Sequence, residues 1–150
     1  MEITPASVLV IERYPLMRAA LCAAIASEPD FQMAEPRMAD KVSLKRTPAN
    51  QPETLLLASR PDVILLALGY PGYEELKALR RLRRSLPGTP ILALTSNEVE
   101  GQEQAAAQAG AQIVLTKAVS QRELLQALRE LRTLTDRTQE DISPEQEATV

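Results

Sequence analysis

The sequence predicts an α/β fold, a three-layer sandwich with a parallel five-stranded sheet between two layers of helices. Three observations carry this. Short apolar runs alternate with helical periods along the chain, giving five strand-helix units in the first 135 residues. The runs are continuously apolar rather than alternating, as in strands covered on both faces. Right-handed crossovers between such units then lead to the strand order 2-1-3-4-5.

Residues 7–11 (Ser-Val-Leu-Val-Ile) form the first unbroken run. Pro15 suits the first turn of the helix that follows. Leu16, Ala19, Ala20, Ala23 and Ala24 recur at helical spacing through Ser27 and mark the expected inward face. Residues 31–34 are a second, shorter strand. The polar stretch 36–52, with three prolines and no apolar period, reads as a mobile loop, and residues 53–59 as a short helix.

Residues 62–67 (Asp-Val-Ile-Leu-Leu-Ala) are the central strand, opening onto Leu68-Gly69-Tyr70-Pro71-Gly72. A helix over 73–86 turns Leu76, Leu79, Leu82 and Leu86 inward, and Pro87-Gly88 ends it. Residues 90–95 form the fourth strand. An alanine-rich helix over 98–109 stops at Gly110, a residue suited to the position after a helix. Residues 113–115 are the fifth strand. In the last helix, 120–134, Ser120 and Glu123 make a capping box ahead of the stripe Leu124, Leu128 and Leu131. The domain therefore spans residues 1–135, and the polar segment 136–150 reads as a flexible tail or linker.

Composition narrows the function classes. The 150 residues carry a net charge of −3, which gives no global pull toward nucleic acid or an anionic membrane. One cysteine, Cys22, and no histidine leave neither a disulfide nor the usual ligands of structural zinc, so no metal or cofactor is expected. Cys22 among alanines reads as an inert core residue. No apolar run approaches the length of a membrane helix, and the N-terminus lacks the pattern of a signal peptide. These features point to a cytoplasmic protein with no membrane contact.

The phrases Val8-Leu9-Val10-Ile11-Glu12-Arg13-Tyr14-Pro15-Leu16, Pro61 to Ala67, Tyr70-Pro71-Gly72, Leu92-Ala93-Leu94-Thr95, and Ala109-Gly110-Ala111 through Lys117 together carry a resemblance. Over residues 6–135 the chain resembles the receiver domain of bacterial response regulators, a flavodoxin-like (β/α)5 fold of the CheY-like superfamily. The Tyr14-Pro15-Leu16 version looks most like receivers that regulate helix-turn-helix DNA-binding domains. In that family an aspartate at the end of the third strand accepts a phosphoryl group from a histidine kinase. Acidic side chains hold Mg²⁺, and a hydroxyl and a lysine contact the phosphoryl oxygens.

Position by position, the resemblance puts the acceptor on Ala67 and the two acidic metal positions on Glu12 and Arg13. It puts the hydroxyl on Thr95, the lysine on Lys117 and the aromatic switch on Val114. Nucleophile, one metal ligand and aromatic switch are absent together. Glu12 beside Arg13 and Lys117 makes a poor Mg²⁺ site. The expectation is a degenerate pseudo-receiver without catalytic activity. It would act in signal transduction without phosphorylation and regulate transcription through protein contacts or dimerisation. The resemblance implies a contact surface on the fourth helix, fifth strand and fifth helix, with a possible DNA-binding output domain beyond this chain.

Each residue has a plainer alternative. Ala67 is also an ordinary packing residue, and Thr95 a β-branched strand residue. Lys117 is expected to bridge to Glu12. Arg13 either pairs with Glu12 or faces water; alternatively, Arg13 and Lys117 together form a positive mouth for a phosphate or carboxylate ligand, making the domain a small-molecule or anion sensor. Lys77, Arg80, Arg81, Arg83 and Arg84 read as a solvated basic helix face, with an acidic partner or nucleic acid as the alternative. An enzymatic reading finds no nucleophile-base pair, phosphate loop or metal cluster in the sequence.

Overall fold

The fold places every strand's carboxyl end at one edge of the sheet, where the candidate residues gather. The computed structural model describes residues 4–34 and 61–141. The expected polar loop, the short helix over 53–59 and residues 142–150 lie outside these. In order along the chain, the described elements are β1 (Ala6–Ile11), α1 (Pro15–Ala26), β2 (Phe31–Met33), β3 (Val63–Ala67), α2 (Tyr73–Ser85), β4 (Ile91–Thr95), α3 (Gln102–Ala109), β5 (Ile113–Thr116) and α4 (Gln121–Asp141). The helices α2, α3 and α4 are the third, fourth and fifth of the sequence pattern. The sheet is parallel with order β2-β1-β3-β4-β5.

Strand side chains alternate between two cores. Val8, Val10, Val63, Leu65, Ala67, Leu92 and Leu94 pack on one face, with Ile25 of α1 and Leu124, Leu128 and Leu131 of α4. Leu9, Ile64, Leu66, Ile91 and Ala93 pack on the other, against Leu76, Leu79 and Leu82 of α2 and Ala106 and Ala109 of α3. The continuous apolar runs are thus explained: both faces of β3 and β4 are buried along their whole length.

Three helices depart from expectation. In α1 the inward residues are Leu21, Cys22 and Ile25, whereas Leu16 is 85% exposed and Ala19, Ala20 and Ala23 are exposed as well. The helix carries so many alanines that several stripes share its apolar character, and only the larger side chains distinguish them. Helix α3 begins at Gln102 rather than residue 98, because Gly101 enters it with a left-handed φ of 79°. Helix α4 runs on to Asp141, past the last leucine of its buried stripe. Its N-terminus is as expected, with the Ser120 hydroxyl accepting from the Glu123 N–H at 3.1 Å.

Three arginines tie the layers together. Arg83 does not belong to a solvated basic face. Its guanidinium donates to the carbonyls of Leu86, Pro87, Thr89 and Gly110 and to Gln112 Oε1, at 2.7–3.2 Å. It therefore joins the end of α2 to the starts of β4 and β5, while Lys77, Arg80 and Arg84 remain exposed. On the other side, Arg129 of α4 pairs with Asp30 at 2.8 Å and lies over the Phe31 ring, and Arg132 donates to the carbonyls of Thr4 and Asp30. The Arg129 hydrogen bond holds the Asp30 carboxyl below the usual carboxylate range.

Replacing Arg83 by Ala is expected to lower the unfolding free energy by about 2–3 kcal/mol in urea denaturation, because several part-buried carbonyls lose a charged donor. Asp30, depressed in the folded state, stabilises the fold above its unfolded pKa, and that contribution is lost as pH falls through its folded pKa. An Asp30→Asn variant should therefore lose stability at neutral pH and show a flatter decline in acid, read as Tm against pH.

Candidate functional site

Strand register sets the floor of the site. Ala67 pairs with Leu94, Ile11 with Leu66, and Thr95 with Thr116, so the loops after β1, β3, β4 and β5 emerge side by side. Ala67 is 3% exposed, and its methyl belongs to the same apolar core as Val10, Leu65 and Leu94. No nucleophile is present at that strand end.

Around this floor stand four charged side chains in two pairs. Arg13 Nη2 lies 3.2 Å from Glu75 Oε1, and the Glu75 side chain is 3% exposed. Lys117 Nζ lies 4.0 Å from Glu12 Oε2, a long contact. The other oxygen of Glu12 accepts the Tyr14 N–H at 3.1 Å. Glu12 thus meets Lys117 as the sequence suggests, but Arg13 does not pair with Glu12. Its partner is Glu75, in the first turn of α2, which sequence reasoning missed. A signal was available: Glu75 stands four residues before Leu79, on the inward stripe of its own helix.

These pairs give two cations and two carboxylates, so Arg13 and Lys117 do not leave an uncompensated positive mouth. Among the described residues, no group of three His, Cys, Asp or Glu side chains is placed to hold a metal ion. Nor is any described helix long and apolar enough to cross a membrane.

Thr95 is fully buried, and its hydroxyl donates to the Leu115 carbonyl at 3.4 Å. The hydroxyl thus points to β5. Val114 is half-buried, packed against the α2–α3 side of the sheet. Gln102, also missed by sequence reasoning, fastens two loops together. Its amide nitrogen donates to the Gly69 and Pro71 carbonyls at 3.0 and 3.2 Å, and its oxygen accepts the Ser96 N–H at 2.7 Å. Gly72 makes room for it: with φ at 89°, a Cβ there would meet Gln102 Nε2 at 2.5 Å. Polarity concealed this residue, since a glutamine in an alanine-rich helix reads as solvated.

Large apolar side chains crowd the rim of the same edge. Tyr14, Leu16, Met17, Tyr70 and Tyr73 are all exposed.

The sequence profile of the response regulator receiver domain matches residues 8–129. Among curated relatives, the response regulator GacA of Pseudomonas viridiflava is 30% identical over 122 residues, 81% of this chain and 53% of that protein. The probable transcriptional regulatory protein TcrX of Mycobacterium tuberculosis is 36% identical over 72 residues, 48% of this chain and 31% of that protein. The chain therefore spans about half the length, or less, of these relatives. Among solved structures, the chain resembles a CheY-like receiver domain protein from Methanospirillum hungatei, with TM-score 0.71 and 14% identity over 90% of this chain and 99% of that one. It also resembles a LuxR-family two-component response regulator from Aurantimonas, with TM-score 0.68 and 22% identity over 87% and 86% of the two chains. Both likenesses establish the fold.

Gln102→Ala is expected to lower the unfolding free energy by about 1–3 kcal/mol, because it strands the Ser96 N–H and the Gly69 carbonyl. Hydrogen exchange at the Ser96 amide should accelerate in the same variant.

Proposed function

This chain belongs to the response regulator receiver domain family, a family of two-component signalling, and from that premise we propose that it is a pseudo-receiver that signals without taking up phosphate. The observation that carries this reading is the packed methyl of Ala67 at the acceptor position. In-line phosphoryl transfer needs a carboxylate nucleophile there, and a methyl group offers no lone pair. Arg13 supports the same reading. At a position that would help hold Mg²⁺ it places a guanidinium, already bound to Glu75. A divalent cation there would meet a like charge in place of a ligand.

Such a domain works through its surface and is not an enzyme. Transcription regulation is the proposed output, by likeness to the probable transcriptional regulatory protein TcrX. An output domain that binds DNA would lie outside this chain, and the whole would act in the cytoplasm. Self-association or partner binding is assigned to the face made by α3, β5 and α4. Along that face β5 is an edge strand, half-buried over its full length, so it offers both backbone and side-chain contacts.

Incubation with a small acyl phosphate and Mg²⁺ is expected to leave the intact mass unchanged. A folded Ala67→Asp variant should stay unmodified too, because Arg13 still occupies the second acidic position. Stoichiometric gain of one phosphoryl group by the natural chain would overturn the reading.

A further inference from the structure

Between α1 and the junction of β5 with α4 lies a cleft of about 150 Å³ that shares Glu12 and Lys117 with the degenerate site. Its walls are apolar, formed chiefly by Met17, Ala20, Leu21, Leu94, Val119 and Leu124. Two features set it apart from a packing defect. Glu12 is more than nine-tenths buried, and its Oε2 has no hydrogen-bond partner. Lys117, the nearest cation, stands 4.0 Å from that oxygen, outside hydrogen-bonding distance. A buried carboxylate oxygen without a donor is costly, and it favours whatever supplies one.

We propose that this cleft binds a small neutral molecule with an apolar body and a hydroxyl head. The head is dictated by the two charges. A hydroxyl can donate to Glu12 Oε2 and accept from the Lys117 ammonium at once. An anionic head would face the Glu12 carboxylate with no proton to give it, and a cationic head would face Lys117. The body is dictated by the walls, which offer methyl and methylene surface. An apolar cavity of about this volume takes up a guest of roughly benzene size. Phenols and short aryl or alkyl alcohols therefore fit. The inference does not rest on the loss of phosphoryl uptake, and it moves the ligand from the Arg13 side of the site to the α1–α4 side. Occupancy would stabilise the domain by mass action and bridge α1 to the β5–α4 junction.

The test is an NMR titration of the ¹⁵N-labelled chain with benzyl alcohol as probe, alongside benzoate and benzylamine. Saturable shifts are expected at the Met17, Ala20, Leu21 and Val119 amides, with both charged probes at least about tenfold weaker because each leaves one polar contact unmade. Ala20→Phe, at an exposed helical position on the cleft wall, should abolish the shifts. Ala23→Phe, exposed on the same helix but not part of the wall, should leave them intact. Absence of saturable shifts, as for a cleft that holds only water, would overturn the proposal. So would benzoate binding as tightly as benzyl alcohol, or an unchanged titration in Ala20→Phe.

Discussion

The Arg13–Glu75 ion pair is the contact on which the arrangement of the site depends. Glu75 is almost wholly removed from water, and a buried carboxylate must find a cation or a proton. Arg13 supplies the cation from the loop after β1, so that loop is bound to the first turn of α2. Gln102 then binds the loop after β3 to the loop after β4. Three of the four loops that a phosphoryl group would otherwise organise are held by side chains of the protein itself. Net attraction in such a pair is modest, because desolvation opposes it. Removing one partner is far more damaging than the pair is stabilising.

That distinction separates this site from a receiver that has merely lost its acceptor. A lone Ala67 would leave an open metal site waiting for a carboxylate. Here the second acidic position carries a cation with its own buried partner, Thr95 has turned its hydroxyl to Leu115, and Lys117 faces Glu12. Each group that would contact phosphate has another partner or has been replaced. On the proposed pseudo-receiver reading, the equilibrium between two surfaces that phosphorylation shifts in ordinary receivers would have no phosphoryl group to bias it. Glu12 Oε2 accepts no hydrogen bond among the described residues, and Glu12 also lines the cleft between α1 and α4.

Much of the fold was legible because the strands are buried on both faces. Continuous runs such as Val63 to Ala67 and Ile91 to Thr95 have one reading, and the crossover rule orders them. The leucine stripes of α2 and α4 were equally plain. Helix α1 was not, because its alanines give the same pattern on several faces, and the inward face is chosen by the bulk of Leu21 and Ile25. The start of α3 was hidden by Gly101, whose left-handed φ is visible only in three dimensions. In the site, positions fixed by strand ends were readable from the resemblance: Glu12, Arg13, Ala67, Thr95, Val114 and Lys117. Glu75 and Gln102 were not, since polar residues on helices are usually solvated. Their burial follows from what the neighbouring loops present to them.

A double-mutant cycle on Arg13→Ala and Glu75→Gln tests the central claim most directly, with stability read by urea denaturation. The account predicts that Arg13→Ala alone is strongly destabilising, and that adding Glu75→Gln recovers much of the loss, giving a coupling energy of at least about 1.5 kcal/mol. Additive losses, with a coupling near zero, would mean that the pair does not hold the site together.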